Sequence, residues 1–125
     1  MKNDRFLKEY HGHTFQDDGC YLSEDFKSFA RKFKNYLNRN LPDGCEILKH
    51  KVGHYDLSGF VRLGEKCAYY SYSWNRFSPV DVREGSSPMK AVLYRTADGP
   101  SDYRGGNNRF ASIEDVPEAI ASILR

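Results

Sequence analysis

The stretch from Cys67 to Arg76, Cys-Ala-Tyr-Tyr-Ser-Tyr-Ser-Trp-Asn-Arg, constrains the fold of this chain more than any other. Strand side chains alternate between faces, so a strand here sends Ala68, Tyr70, Tyr72 and Trp74 one way and Cys67, Tyr69, Ser71 and Ser73 the other. One face is a wall of aromatic rings, either the lining of a small core or a platform for stacking. A helix able to cover such a wall precedes it. Ser23 is a good N-cap, Glu24 and Asp25 suit a first turn, and Phe26, Phe29, Ala30, Phe33, Tyr36 and Leu37 form one apolar stripe. Lys27, Arg31, Lys34 and Asn38 fall on the opposite face, and Pro42-Asp43-Gly44 ends the helix.

Three strands are expected at about 45–52, 55–63 and 67–74, joined through Gly53-His54 and Gly64-Glu65-Lys66; connections this short imply an antiparallel meander. Residues 75–88, with Gly85, Pro79 and Pro88, read as a long loop, and Met89–Thr96 returns as a fourth strand. A second loop spans Ala97–Asn108. Ser112 then caps a closing helix whose apolar set is Ile113, Val116, Ile120, Ile123 and Leu124, with Pro117 tolerated near its start. The expectation is an α+β domain over 23–125, in the order α-β-β-β-β-α, preceded by an arm over 1–22. Its four-stranded, mainly antiparallel sheet carries both helices on one face. Within the arm, Phe6, Leu7, Tyr10 and Phe15 can form a short docking helix. The more apolar strand phases, Leu48 and Val52, Tyr55, Leu57, Val61 and Leu63, and Tyr70, Tyr72 and Trp74, should face the helices. The other face then shows Lys49, Lys51, Phe60, Arg62 and Tyr69, with Lys90 or Arg95.

At 125 residues and 39% apolar content the chain has room for one core, and no apolar run is long enough for a membrane span. The polar start, Met1-Lys2-Asn3-Asp4-Arg5, lacks the apolar segment of a secretory signal, so a cytoplasmic location is expected. Cys20, Cys45 and Cys67 are widely spaced and odd in number, which suits free thiols in a reducing compartment. The formal charge is only +2 but unevenly placed: residues 24–39 carry five basic and two acidic side chains, whereas 112–125 carry one and three.

Two groups of residues invite a binding reading. Nucleic acids need cations for phosphates and planar groups for unstacked bases. Lys27, Arg31 and Lys34 on the helix, with Lys49, Lys51, Phe60, Arg62 and Tyr69 on the open sheet face, could supply both, so nucleic acid or a nucleoprotein complex is the first expected partner. In the second loop, Tyr103, Arg104, Gly105, Gly106, Asn107 and Arg109 could cradle an anion through backbone N–H groups and an arginine clamp, although the same glycines suit an ordinary turn. The alternative is a protein partner, from host or phage, held by loops 75–88 and 98–109. Catalysis has less behind it. Asp56, Glu65, Asp81 and Glu84 are scattered, His11, His13, Cys20, His50 and His54 match no standard zinc spacing, and nothing activates Cys45 or Cys67 as a nucleophile beside His50. No metal, cofactor or enzymatic activity is expected. The α-β-β-β-α portion resembles double-stranded RNA-binding domains in topology alone, since the closing helix opens Ile113-Glu114-Asp115 where such domains are basic.

The phrases Tyr55-Asp56-Leu57-Ser58-Gly59-Phe60, Tyr70-Ser71-Tyr72-Ser73, Leu93-Tyr94-Arg95-Thr96-Ala97 and Asp102-Tyr103-Arg104-Gly105-Gly106-Asn107 resemble small accessory proteins encoded on phages, plasmids and conjugative elements of Firmicutes. The resemblance covers residues 24–120. It implies a mobile-element setting, one that also yields anti-CRISPR inhibitors and other counter-defence proteins, and it brings no catalytic residues with it.

Overall fold

A computed structural model describes residues 4–10, 24–53, 56–73, 92–103 and 107–125. The elements are α1 (Arg5–Tyr10), α2 (Glu24–Asn40), β1 (Glu46–Val52), β2 (Asp56–Leu63), β3 (Lys66–Ser73), β4 (Val92–Ala97), β5 (Arg109–Ala111) and α3 (Val116–Leu124). The strands form one sheet in the order β1-β2-β3-β4-β5, each pair of neighbours antiparallel. The α+β class and the meander are as expected; the sheet has five strands rather than four. Three residues are too few to show an alternation of their own, and β5 exists through its pairing with β4.

The register explains the core. Leu57 lies opposite Tyr72, Gly59 opposite Tyr70 and Val61 opposite Ala68, so these six residues share the face beneath the helices. All of them are buried, with Phe26, Phe29, Phe33, Tyr36 and Leu37 of α2 and Val116, Ile120 and Leu124 of α3 above them. The ring of Phe33 stands 5.9 Å from that of Tyr70, and those of Phe29 and Phe26 stand 5.2 and 6.4 Å from that of Tyr72. The aromatic wall at Tyr70 and Tyr72 is therefore core lining. Tyr55 and Trp74 lie outside the described residues, as do Ser23, Phe15, Lys90 and loop 75–88. Gly59 makes the close approach possible, because a Cβ there would run into the phenol of Tyr70.

Two further contacts fix the helices. The Tyr36 hydroxyl donates to the Glu114 carbonyl at 2.9 Å, joining α2 to the turn before α3. The Asp4 carboxylate accepts the Phe6 N–H at 2.8 Å, capping α1, and an Arg39 N–H at 2.8 Å, tying α1 to α2. The Phe6 ring then packs on Phe29, Phe33 and Tyr36.

Some expectations need correction. Leu48 pairs with Phe60 on the face away from the helices, and its place is taken by Ile47, opposite Val61. Val52 does return to the helix-side phase opposite Leu57, yet it is 38% exposed because it sits at the end of an edge strand. Ser112 caps a turn and not α3 itself: its hydroxyl accepts the Asp115 N–H at 3.2 Å, its carbonyl accepts the Val116 N–H at 2.9 Å, and α3 starts at Val116.

Candidate nucleic-acid interface

The site begins with an irregularity in β1. Leu48 pairs with Phe60 and Lys51 with Ser58, so two residues, Lys49 and His50, stand opposite the single Gly59. This is a β-bulge, and it reverses the facing of everything after it. Lys49 takes φ +54°, the left-handed region that glycine enters more easily. His50 is turned inward, where its Nε2–H donates to the Ala30 carbonyl at 3.0 Å; a carbonyl can only accept, so Nδ1 is bare and takes the Tyr70 hydroxyl proton at 2.6 Å. Burial lowers the His50 pKa below its usual value and the charge of Lys34 acts in the same direction, against the Ala30 bond. Burial likewise pushes the Tyr70 phenol upward. His50 is thus a half-buried histidine with both ring nitrogens bonded, joining α2, β1 and β3.

That junction orients α2. Lys32 and Arg39 turn toward α1, where they meet Glu9 at 2.7 Å and Asp4 at 2.8 Å. Lys27, Arg31 and Lys34 share the opposite side of the helix, flanking Ala30, whose carbonyl is bonded by His50, so that side adjoins β1. Lys49 and Lys51 border the same strand from the other face. Five cations therefore flank the β1 edge. Lys27 meets Glu24 at 3.4 Å with both side chains exposed, an arrangement that offsets little charge. Among the described residues Arg31 reaches only the Ser28 hydroxyl, at 3.4 Å, and no carboxylate pairs with Arg31, Lys34, Lys49 or Lys51.

The sheet face away from the helices differs from the expectation of an open aromatic platform. Phe60 has no exposed surface, and every residue of β2 from Leu57 to Val61 is buried, so this strand is covered on both faces. The cover is the segment between β4 and β5. Tyr103 sets its ring edge-to-face against those of Phe60 and Tyr69, at 5.2 and 5.9 Å, and Phe60 and Tyr69 are themselves 5.2 Å apart. Arg95, 3% exposed, anchors the segment. It donates to the Asp102 carbonyl at 2.7 Å and the Thr96 carbonyl at 3.1 Å, lies 3.8 Å from the Asp102 carboxylate, and stacks 4.6 Å over the Tyr69 ring. Asp102 in turn accepts the Asp98 N–H at 3.0 Å. Phe60 is therefore closed to an unstacked base, and Tyr69 is half-buried with Arg95 over its ring. Among the described residues the exposed ring is Tyr103, at 44%, with the Lys51 ammonium 4.9 Å above it and Lys49 nearby, donating to the Ser101 hydroxyl at 2.6 Å.

The remaining candidates separate. Arg62 pairs with Glu46 at 3.2 Å at the far end of β2 from Lys51. Arg109 lies opposite Tyr94 on the helix side of the sheet, and Tyr103 packs on the other side, so these two do not converge on one anion; Asn107 is exposed, and Arg104, Gly105 and Gly106 lie outside the described residues. Cys67 is buried in β3 and Cys45 is half-buried just before β1, each with its thiol pKa raised by burial. Among the described residues no three His, Cys, Asp or Glu side chains gather as a metal site, and no helix is long and apolar enough to cross a membrane. Sequence reasoning missed Ser101 and gave no role to Asp102 at the head of the loop it singled out; both roles arise from that loop folding back on the sheet. Compared with protein-family models, curated proteins and solved structures, the chain matches none.

Proposed function

We propose that this chain is an accessory protein that binds nucleic acid along the β1 edge, through Lys27, Arg31, Lys34, Lys49 and Lys51, and acts by binding rather than catalysis. The observation that carries the reading is that Lys27, Arg31 and Lys34 of α2 and Lys49 and Lys51 of β1 lie on the two sides of one strand edge, with little carboxylate compensation among the described residues. The conformation of Lys49 adds to it: a long cation occupies a left-handed position where glycine would be at ease, and backbone outliers of this kind concentrate at functional sites. The platform of Phe60 and Tyr69 has no part in the proposal.

Fluorescence anisotropy with labelled 20-nucleotide single strands and 20-base-pair duplexes, at low and moderate salt, tests it. The triple charge reversal K27E/R31E/K34E should weaken binding at least tenfold. K49G removes a cation while easing the backbone, so it should weaken binding with the fold intact. Absence of binding to DNA or RNA of either form at low salt, or unchanged affinity in both variants, overturns the proposal.

A further inference from the structure

Resting on that reading, we infer that the β1 edge takes single-stranded rather than duplex nucleic acid, and that Tyr103 is the residue on which an unpaired base stacks. Among the described residues the phenol is the exposed aromatic ring beside the cationic edge, and it is held rather than loose. Phe60 and Tyr69 brace it edge-to-face, and the buried Arg95 fixes the preceding residue through the Asp102 carbonyl. A stacking residue prepared in this way loses little freedom on binding. The Lys51 ammonium now occupies the π-face of Tyr103 at 4.9 Å. A base can replace it there, and the displaced ammonium, carried on a flexible stem, is then within reach of the adjoining phosphate, as is that of Lys49. The pairing of one ring face with two lysines matches the repeating unit of a single strand, a base beside a phosphate. A duplex keeps its base faces stacked inside and offers Tyr103 nothing except at its ends.

The same anisotropy assay, on the full chain with dT20, an unstructured 20-nucleotide RNA and a 20-base-pair DNA duplex, separates the possibilities. Single strands should bind more tightly than the duplex. Y103A should weaken single-strand binding roughly 5- to 100-fold and leave duplex binding unchanged, whereas Y103F keeps the ring and should bind as the parent does. Because Y103A also uncovers Phe60, its denaturant midpoint is measured alongside, and Y103F against Y103L supplies a comparison in which the cover is retained but the π-face is lost. Duplex binding equal to or tighter than single-strand binding, or equal affinities for Y103F and Y103L, overturns the stacking role while leaving the cationic edge standing. Failure of every nucleic acid to bind overturns both.

Discussion

His50 shows how a polar group becomes structural when its partners are fixed. Both ring nitrogens are occupied in the neutral form, and protonation of Nδ1 would turn the acceptor of the Tyr70 hydroxyl into a second donor. Because burial depresses its folded-state pKa below 6.5, the unfolded chain binds the proton more readily. The stability contributed by neutral His50 is complete above about pH 6.5, falls as the pH drops toward the folded pKa, and levels off below it. Urea midpoints between pH 8 and pH 5 should show this decline in the parent, and His50→Gln should flatten it. Phe33 poses a simpler case. With no exposed surface and its ring against Tyr70, Phe33→Ala should destabilise by about 3–5 kcal/mol, as large core truncations do, and an unchanged denaturant midpoint would refute that placement. Gly59→Ala should cost about 1–3 kcal/mol by overpacking against the same phenol, and trimming Tyr70 to Leu in the same chain should make the added methyl less harmful, a coupling that a double-mutant cycle reads directly.

At the scale of elements, what could be read from the chain was whatever carries its own period. The α2 stripe and the β2–β3 hairpin declare themselves because every third or fourth residue, or every second, is apolar, and the structure places Phe26, Phe29, Phe33, Tyr70 and Tyr72 together as that pattern requires. The bulge at Lys49 and His50 and the short β5 have no such signal, since each is defined by its partner strand. A one-residue slip was enough to misplace Leu48, and an edge position enough to expose Val52. The site was legible in part for the same reason. The cations of α2 were evident from helical spacing, but the burial of Phe60 depends on Tyr103, far along the chain, and no local pattern encodes that contact. The short α1 depends on outside support as well, because six residues are too few to be helical alone. Burial opposes ionisation of Asp4, yet its bonds from Arg39 and the Phe6 N–H hold its pKa below the usual carboxylate range, so its contribution is present at neutral pH and lost as the pH falls through the folded value. Asp4→Ala should therefore speed hydrogen exchange in Arg5–Tyr10 while leaving the sheet amides protected; equal acceleration in β2 and β3 would show that α1 does not open as a separate unit.

The molecule as a whole is electrically lopsided. Basic side chains gather on α2 and along β1, at one edge of the sheet, whereas Glu114, Asp115 and Glu118 belong to the turn and first residues of α3, which packs over β3 and β4. A small net charge can therefore coexist with an uneven distribution, and on the proposed reading a polyanion would be drawn to the β1 edge rather than to the α3 side. Salt provides the quantitative test of that asymmetry. If a single strand contacts all five cations, each contact releases about 0.7 counterion, and the logarithm of the association constant should fall against the logarithm of salt with a slope of about −3.5. Removing Lys34 or Lys51 singly should make the slope shallower by about 0.7, whereas Arg62→Gln, at the far end of β2 and paired with Glu46, should leave it unchanged. Neutralising Glu118, on the opposite side, should strengthen binding slightly at low salt and not at high salt, because it acts only through the field. A slope near zero, or one that responds to Arg62 as strongly as to Lys34, would place the charge-dependent contacts somewhere other than the β1 edge.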